Sequence, residues 1–165
     1  MSLPYDLKTE AFSVVTARGV VMVRPLTTGD RDEWARLWTA YLVFYETTLK
    51  EAQYDLNWAR LFDPAEPVFG FIAEQDGKAV GLVHIIFHRS FWLEGPSCYL
   101  QDLYADPEVR DTGVGRALIE HVDAVAKAAG SARVHWLTKH DNVVARRLYD
   151  RIADESGFIQ YVQAL

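Results

Sequence analysis

The chain has one cysteine in 165 residues, Cys98, so no internal disulfide can form. It has no apolar run long enough to cross a bilayer and no charged-then-apolar leader pattern, which points to a soluble, cytoplasmic protein with no membrane partner. It also lacks positive charge. Seventeen Lys and Arg against 23 Asp and Glu leave a net charge of -6 and a pI near 5.3. That balance argues against general nucleic-acid binding and tolerates a cationic substrate. No Gly-Lys-Ser/Thr run is present, which excludes a P-loop. The histidines lack a metal pattern: His84 and His88 share a strand face but have no third ligand, so no metal is expected. There is no internal repeat, linker or low-complexity segment.

What is present is ordinary globular composition, half apolar and 24% charged, at a length that suits one domain with a real core. The organising stretch is Val109-Arg110-Asp111-Thr112-Gly113-Val114-Gly115-Arg116-Ala117-Leu118. It follows a strand-like run and opens a long helical pattern. Gly113 and Gly115 let the backbone approach a ligand that a Cβ would hold off. The first amides of the following helix have no intrahelical partner, and the peptide dipoles add partial positive charge there. Such a turn suits an anion, most often phosphate. The dinucleotide fingerprint G-x-G-x-x-G would need glycine at 118, and that residue is Leu118.

In chain order, residues 1–18 read as an arm whose end, 12–16, pairs with a strand at 20–24 across Arg18-Gly19. Pro25 ends that strand, and Thr28 or Asp30 is placed to cap the next helix. Trp34, Leu37, Trp38, Tyr41, Leu42 and Tyr45 recur at three and four residues, which is one helical face. A second helix is expected at 49–61. Strands at 68–74 and 79–88 flank Asp76-Gly77, a strong hairpin turn. A strand at 98–105 precedes the glycine turn. The helix at 114–129 carries an apolar stripe of Val114, Leu118, Val122, Val125 and Ala129, and Gly130 stops it. A strand at 133–138, a helix from 142 to about 152 and a final strand at 157–164 complete the order. The hairpin requires antiparallel pairing, and the strand-helix-strand run from 98 to 138 suggests a parallel crossover, hence a mixed-sheet α/β domain.

Two blocks carry a resemblance. Arg110-Asp111-Thr112-Gly113-Val114-Gly115 follows a strand, and Asn142-Val143-Val144-Ala145-Arg146-Arg147-Leu148-Tyr149 is followed by Gly157-Phe158. Together with the order of elements they resemble the GNAT acyltransferase superfamily over roughly residues 20–165. Tyr99-Leu100-Gln101-Asp102-Leu103-Tyr104 and the ending 149–161 look closest to its histone and polyamine acetyltransferase-like branch. The resemblance implies one acetyltransferase domain over 1–165, an arm at 1–18 and a core at 20–165. The fold it implies is a mixed, mostly antiparallel sheet with a central splayed parallel strand pair, flanked by about four helices.

The function it implies is transfer of an acetyl group from acetyl-CoA to a primary amine, on a small molecule, a polyamine or a lysine-like acceptor. The amides of Asp111, Thr112, Gly113, Val114, Gly115 and Arg116, with the Arg110 and Arg116 charges beside them, would hold the pyrophosphate. The backbone of Leu103, Tyr104 and Ala105 would border the pantetheine arm, and Asn142 and Ala145 would line its channel. Tyr149 would sit near the departing sulfur. Direct transfer needs a donor for the developing oxyanion, assigned to a backbone amide near Leu103, and a proton acceptor for the amine. Polyamine-acetylating relatives often carry Glu where this chain has Gln101, and an amide is no base. That leaves Asp102 or a water chain. Most relatives carry Gly in place of Asp111, so the Asp111 side chain is expected to turn to solvent. Phe44, Tyr45 and Glu46 stand where such folds build the acceptor wall, or else serve core or dimer packing. The open edge of the last strand points to a homodimer. A non-catalytic acyl-CoA sensor or assembly module remains an alternative, which retention of Asn142 and Tyr149 argues against. A nucleotide-binding oxidoreductase is disfavoured by Leu118.

Overall fold

The computed structural model of the chain describes residues 11–16, 18–109 and 111–165. β-Branched runs and turn residues set the first half. β1 (Phe12–Thr16) and β2 (Gly19–Pro25) form an antiparallel hairpin, α1 (Arg31–Phe44) and α2 (Glu51–Phe62) follow, and β3 (Val68–Gln75) returns to pair with β2. β3 turns into β4 (Lys78–His88) through Asp76 and Gly77, both at positive φ (52° and 74°), the backbone that a tight hairpin between right-twisted strands demands. β5 (Ser97–Ala105) runs antiparallel to β4. α3 (Val114–Ala128) then crosses over to β6 (Arg133–His135), which is parallel to β5, and α4 (Val143–Ile152) follows. The strand order among the described residues is β1-β2-β3-β4-β5-β6, so the parallel pair lies at one margin of the sheet.

Helices cover both faces. α3 places Val114, Leu118, Val122, Val125 and Ala129, all buried as its periodicity predicts, against Val21, Val23, Phe71, Val83, Ile85 and Phe87. On the other face Trp34, Leu37, Trp38 and Leu42 of α1 pack on Ile72, Ala79 and Leu82. β4 is therefore buried on both sides, which explains its nearly continuous apolar run. Gly81 is the one position on β4 where a Cβ would meet Val114 Cγ1 at 2.9 Å, so its missing side chain lets the start of α3 press on the sheet.

The entry to α1 is held by charge. The Arg24 guanidinium bridges both oxygens of Asp30 at 2.8 Å and also reaches Glu74, while Asp30 Oδ2 accepts from the Thr27 amide and hydroxyl at 2.7 Å. The hydrogen bonds from Arg24 chiefly hold the Asp30 carboxyl far below the usual carboxylate range, against the opposing cost of burial. Asp30, one of the two residues expected to cap, is the N-cap residue of α1, and its side chain binds the turn before the helix through Thr27.

Two expectations change. The strand expected at 133–138 ends at His135. The final strand expected at 157–164 does not form: residues 153–165 are exposed and pair with no strand among the described residues. The physical reason is that strand propensity is realised only against a partner edge, and the margin left open, β6, is three residues long. Among the described residues no helix is long and apolar enough to cross a membrane.

One core residue breaks the apolar pattern. His121 on α3 is 2% exposed, lies between the rings of Phe12 and Phe71, and neither ring nitrogen has a partner among the described residues. Burial drives its pKa down from 6.5 to about 4. The unfolded chain therefore binds more protons between those values. Stability from this group is full above about pH 6.5 and is lost as pH falls towards 4, costing about 2 kcal/mol by about pH 5. His121→Leu is expected to remove this part of the pH dependence. Thermal melts between about pH 8 and 5 check it, and equal slopes for the wild type and the variant would contradict it.

Candidate active site

The site begins where two strands part. β5 pairs with β6 only through Ser97, Cys98 and Tyr99 against Arg133, Val134 and His135. Beyond Tyr99 no strand among the described residues covers that side of β5. Leu103, Tyr104 and Ala105 lie along this divergent half, held on the other side by Val83, Leu82 and Gly81 of β4.

The glycine turn lies at one end of the gap. Asp111 (φ 61°) and Gly113 (φ 95°) are both left-handed, and Gly113 is the N-cap of α3. Thr112 is buried, its hydroxyl donating to the Val109 carbonyl at 2.6 Å, and Val114 is buried against the sheet. The Asp111 side chain is exposed. The earliest bond closing α3 runs from the Ala117 amide to the Gly113 carbonyl. Among the described residues the amides of Gly115 and Arg116 have no backbone partner one turn behind them, as the first turn of a helix leaves them. Arg116 pairs with Glu120 at 2.7 Å on the exposed side. Arg110, expected to add charge here, lies outside the described residues. A Cβ at Gly113 would meet Thr16 of β1 at 3.2 Å, whereas one at Gly115 would make ordinary contacts with Leu148 of α4 at 3.7 Å and Leu103 of β5 at 4.0 Å. Gly115 therefore sits where α3, β5 and α4 converge.

Asn142 caps α4: its Oδ1 accepts from the Ala145 amide at 3.4 Å and its Nδ2 donates to Thr138 Oγ1 at 3.1 Å. Its side chain is therefore committed to starting the helix that carries Tyr149. Tyr149 is half-buried, its ring against Trp136 at 5.3 Å. Burial, then the neighbouring Tyr45, raise its phenol to about 12.

At the other end stands Asp102, its side chain 12% exposed, while Gln101 is exposed. His84 is its cross-strand partner, and the register shifts immediately after that pair. His84 Nδ1 lies 3.0 Å from Asp102 Oδ2, and Trp34 Nε1 donates to His84 Nε2 at 2.8 Å. Three tyrosines surround the carboxylate. Burial and then the Asp102 charge raise Tyr41, Tyr45 and Tyr99, while the neighbouring Asn142 and Thr138 ease Tyr45 back. Tyr45 thus lies within electrostatic reach of both Asp102 and Tyr149. Trp38 stacks on Tyr41, and Lys139 lies over the Tyr45 ring at 5.3 Å.

The structure thus brings Asp102 into one neighbourhood with Tyr45, Asn142 and Tyr149, and brings Gly115 to Leu103 and α4. It adds Trp34, His84, Tyr41 and Tyr99. The helical recurrence of Trp34 and Tyr41 reads equally well as core, so the one signal available was a histidine and an aspartate on consecutive strands. Cys98 is fully buried, and burial pushes its thiol to about 12, so it is no nucleophile. His88 and His135 meet through their Nε2 atoms at 3.0 Å, and no group of three metal-binding side chains exists among the described residues.

The model of the acetyltransferase (GNAT) family matches residues 32–153. Among curated proteins, the D-amino-acid N-acetyltransferase HPA3 of Saccharomyces cerevisiae is 32% identical over 143 residues, 86% of this chain and 89% of its own. The thialysine N-epsilon-acetyltransferase of Caenorhabditis elegans is 31% identical over 85 residues, 52% of each chain. Solved structures share the fold at low identity. An aminoglycoside acetyltransferase from an uncultured soil metagenomic sample superposes with a TM-score of 0.76 at 17% identity, covering 88% of this chain and 96% of that one. AAC(6')-Iy, in complex with a bisubstrate analogue built on CoA, does so at 0.77 and 16%, covering 88% and 98%. With a family match across most of the chain and a relative at this identity and coverage, the protein belongs to the GNAT acetyltransferase family and is an acyltransferase.

Proposed function

We propose that this single-domain protein transfers the acetyl group of acetyl-CoA directly to a primary amine. The observation that carries the reading is the uncovered flank of β5, with free helix-start amides at one end and a carboxylate among tyrosines at the other. The amides of the 111–116 turn suit the pyrophosphate. The β5 backbone around Leu103, with Tyr104 and Ala105 beside it, suits an extended pantetheine lying where the next strand would be. Ala145 keeps that channel clear beside the Asn142 cap.

The acceptor arrives as an ammonium, which the Asp102 carboxylate and the faces of Tyr41, Tyr45 and Tyr99 suit. Asp102 takes one proton from it. The freed nitrogen lone pair attacks the thioester carbonyl carbon, whose oxygen becomes negative and accepts from a β5 amide near Leu103. The C–S bond then breaks, Tyr149 protonates the thiolate, and the nitrogen's second proton passes to solvent, which also reprotonates Tyr149 and discharges Asp102. The net products are an amide, free CoA thiol and one proton. Since burial holds Tyr149 near 12, its proton is given as the C–S bond breaks rather than before. The acidic balance, the named amine acceptors of the curated relatives and the site's carboxylate all support a cationic small molecule, a polyamine or a lysine-like side chain. A free buried thiol suits the cytoplasm.

The chain is further read as a homodimer. Phe158, Ile159, Tyr161 and Val162 are each more than 70% exposed on a segment with strand-like sequence and no partner edge. Pairing with a second copy would cover them. Light scattering at tens of micromolar should give twice the chain mass, and removal of residues 154–165 should give a monomer. A monomeric full chain would contradict it.

Two substitutions test the site. Tyr149→Phe keeps the ring and removes the proton donor, so kcat should fall about a hundredfold while acetyl-CoA affinity stays within twofold or so. An unchanged kcat makes Tyr149 a packing residue. Gly115→Val should weaken CoA binding about tenfold, about 1.4 kcal/mol by calorimetry. It is a cleaner probe than Gly113→Val, which also strains a left-handed backbone. Unaltered affinity in folded Gly115→Val would move the pyrophosphate elsewhere.

A further inference from the structure

The hydrogen bonds behind Asp102 assign a role that none of the site motifs predicts. Trp34 is fully buried, and its indole is held by Trp58 at 5.0 Å, Tyr54 at 6.0 Å and the Arg31 guanidinium at 4.9 Å. An indole nitrogen can only donate. Its bond to His84 Nε2 at 2.8 Å therefore requires a lone pair on that nitrogen. The neutral ring's proton must then sit on Nδ1, which faces Asp102 Oδ2 at 3.0 Å. Trp38 packs edge-on against the ring at 5.0 Å. Gly70 of β3 is the cross-strand neighbour on its other side and brings no charge.

We propose that Trp34 and His84 are positioning residues that fix Asp102 as the proton acceptor for the amine, a role that rests on the acetyl-transfer reading above. The indole sets the tautomer. The tautomer turns a donor, never a lone pair, towards the carboxylate. Held by that donor, the carboxylate keeps one orientation and retains acceptor capacity for the ammonium proton. The shift in register after His84 and Asp102 fits a strand pair bent to aim these two side chains. Neither Trp34 nor His84 touches substrate; both act through Asp102.

The experiment has a spectroscopic arm and a kinetic arm. Long-range proton–nitrogen correlation spectra of the wild type at about pH 8, with the His84 signals assigned by their loss in His84→Gln, should show the Nδ1–H tautomer. The Nε2–H tautomer would overturn the proposal whatever the kinetics of the variants. In the kinetic arm, His84→Leu should lower kcat about thirtyfold with the KM for acetyl-CoA unchanged. His84→Gln, which still offers an N–H, should recover most of that loss. Trp34→Phe should lower kcat about tenfold and bring the second tautomer into the spectrum. Wild-type kcat in folded His84→Leu, or equal losses in His84→Leu and His84→Gln, overturns the positioning role alone. Absence of wild-type turnover with every amine overturns the acetyl-transfer reading beneath it.

Discussion

A parallel strand pair joined over only three residues and then forced apart leaves the flank of one strand open inside the fold. Everything in the site depends on that divergence. The apolar stripe of α3, pressed onto the sheet through the space at Gly81, fixes where the helix starts and so where its free amides point. The cap at Asn142 fixes where α4 starts and so where Tyr149 faces. Two helix starts and one strand flank thus come together without a long-range side-chain hydrogen bond between them among the described residues. Packing decides the geometry, and the polar groups fall where packing leaves them.

The second constraint is the placement of a carboxylate among aromatic rings. An ionised group in such surroundings is costly unless hydrogen bonds hold it. Here His84 does so, and the same surroundings raise the tyrosines around it. On the proposed reading an ammonium acceptor would relieve the carboxylate, while a neutral or anionic group would not.

Much of the fold was legible because its signals are local. The β-branched runs, the Asp76-Gly77 turn, the stripe from Val114 to Ala129 and the glycine turn each announce themselves within a few residues. The last strand was not legible as unpaired, since Phe158 to Val162 have the right sequence for a strand and only the missing partner edge denies it. Likewise Asp102 could be picked out as a carboxylate beside Gln101, but its holders could not. His84 and Trp34 meet across 50 residues of chain through strand register and helix packing, neither of which the local pattern specifies. His121 escaped notice for the converse reason: it occupies a core position on α3 with a side chain that periodicity assigns to neither face.

Direct acetyl transfer is the account's central claim, and the most direct test is to mix the intact protein with acetyl-CoA and a panel of amines, following thiol release and product mass together. Polyamines, amino acids of both hands, basic peptides and aminoglycosides make up the panel. The expected result is thiol release that requires an amine, one acetyl group gained by that amine, and no acetylated enzyme. Tight CoA binding with no release for any amine would contradict it and leave a binding module. An acetylated protein that forms before the amine is added would contradict the direct transfer.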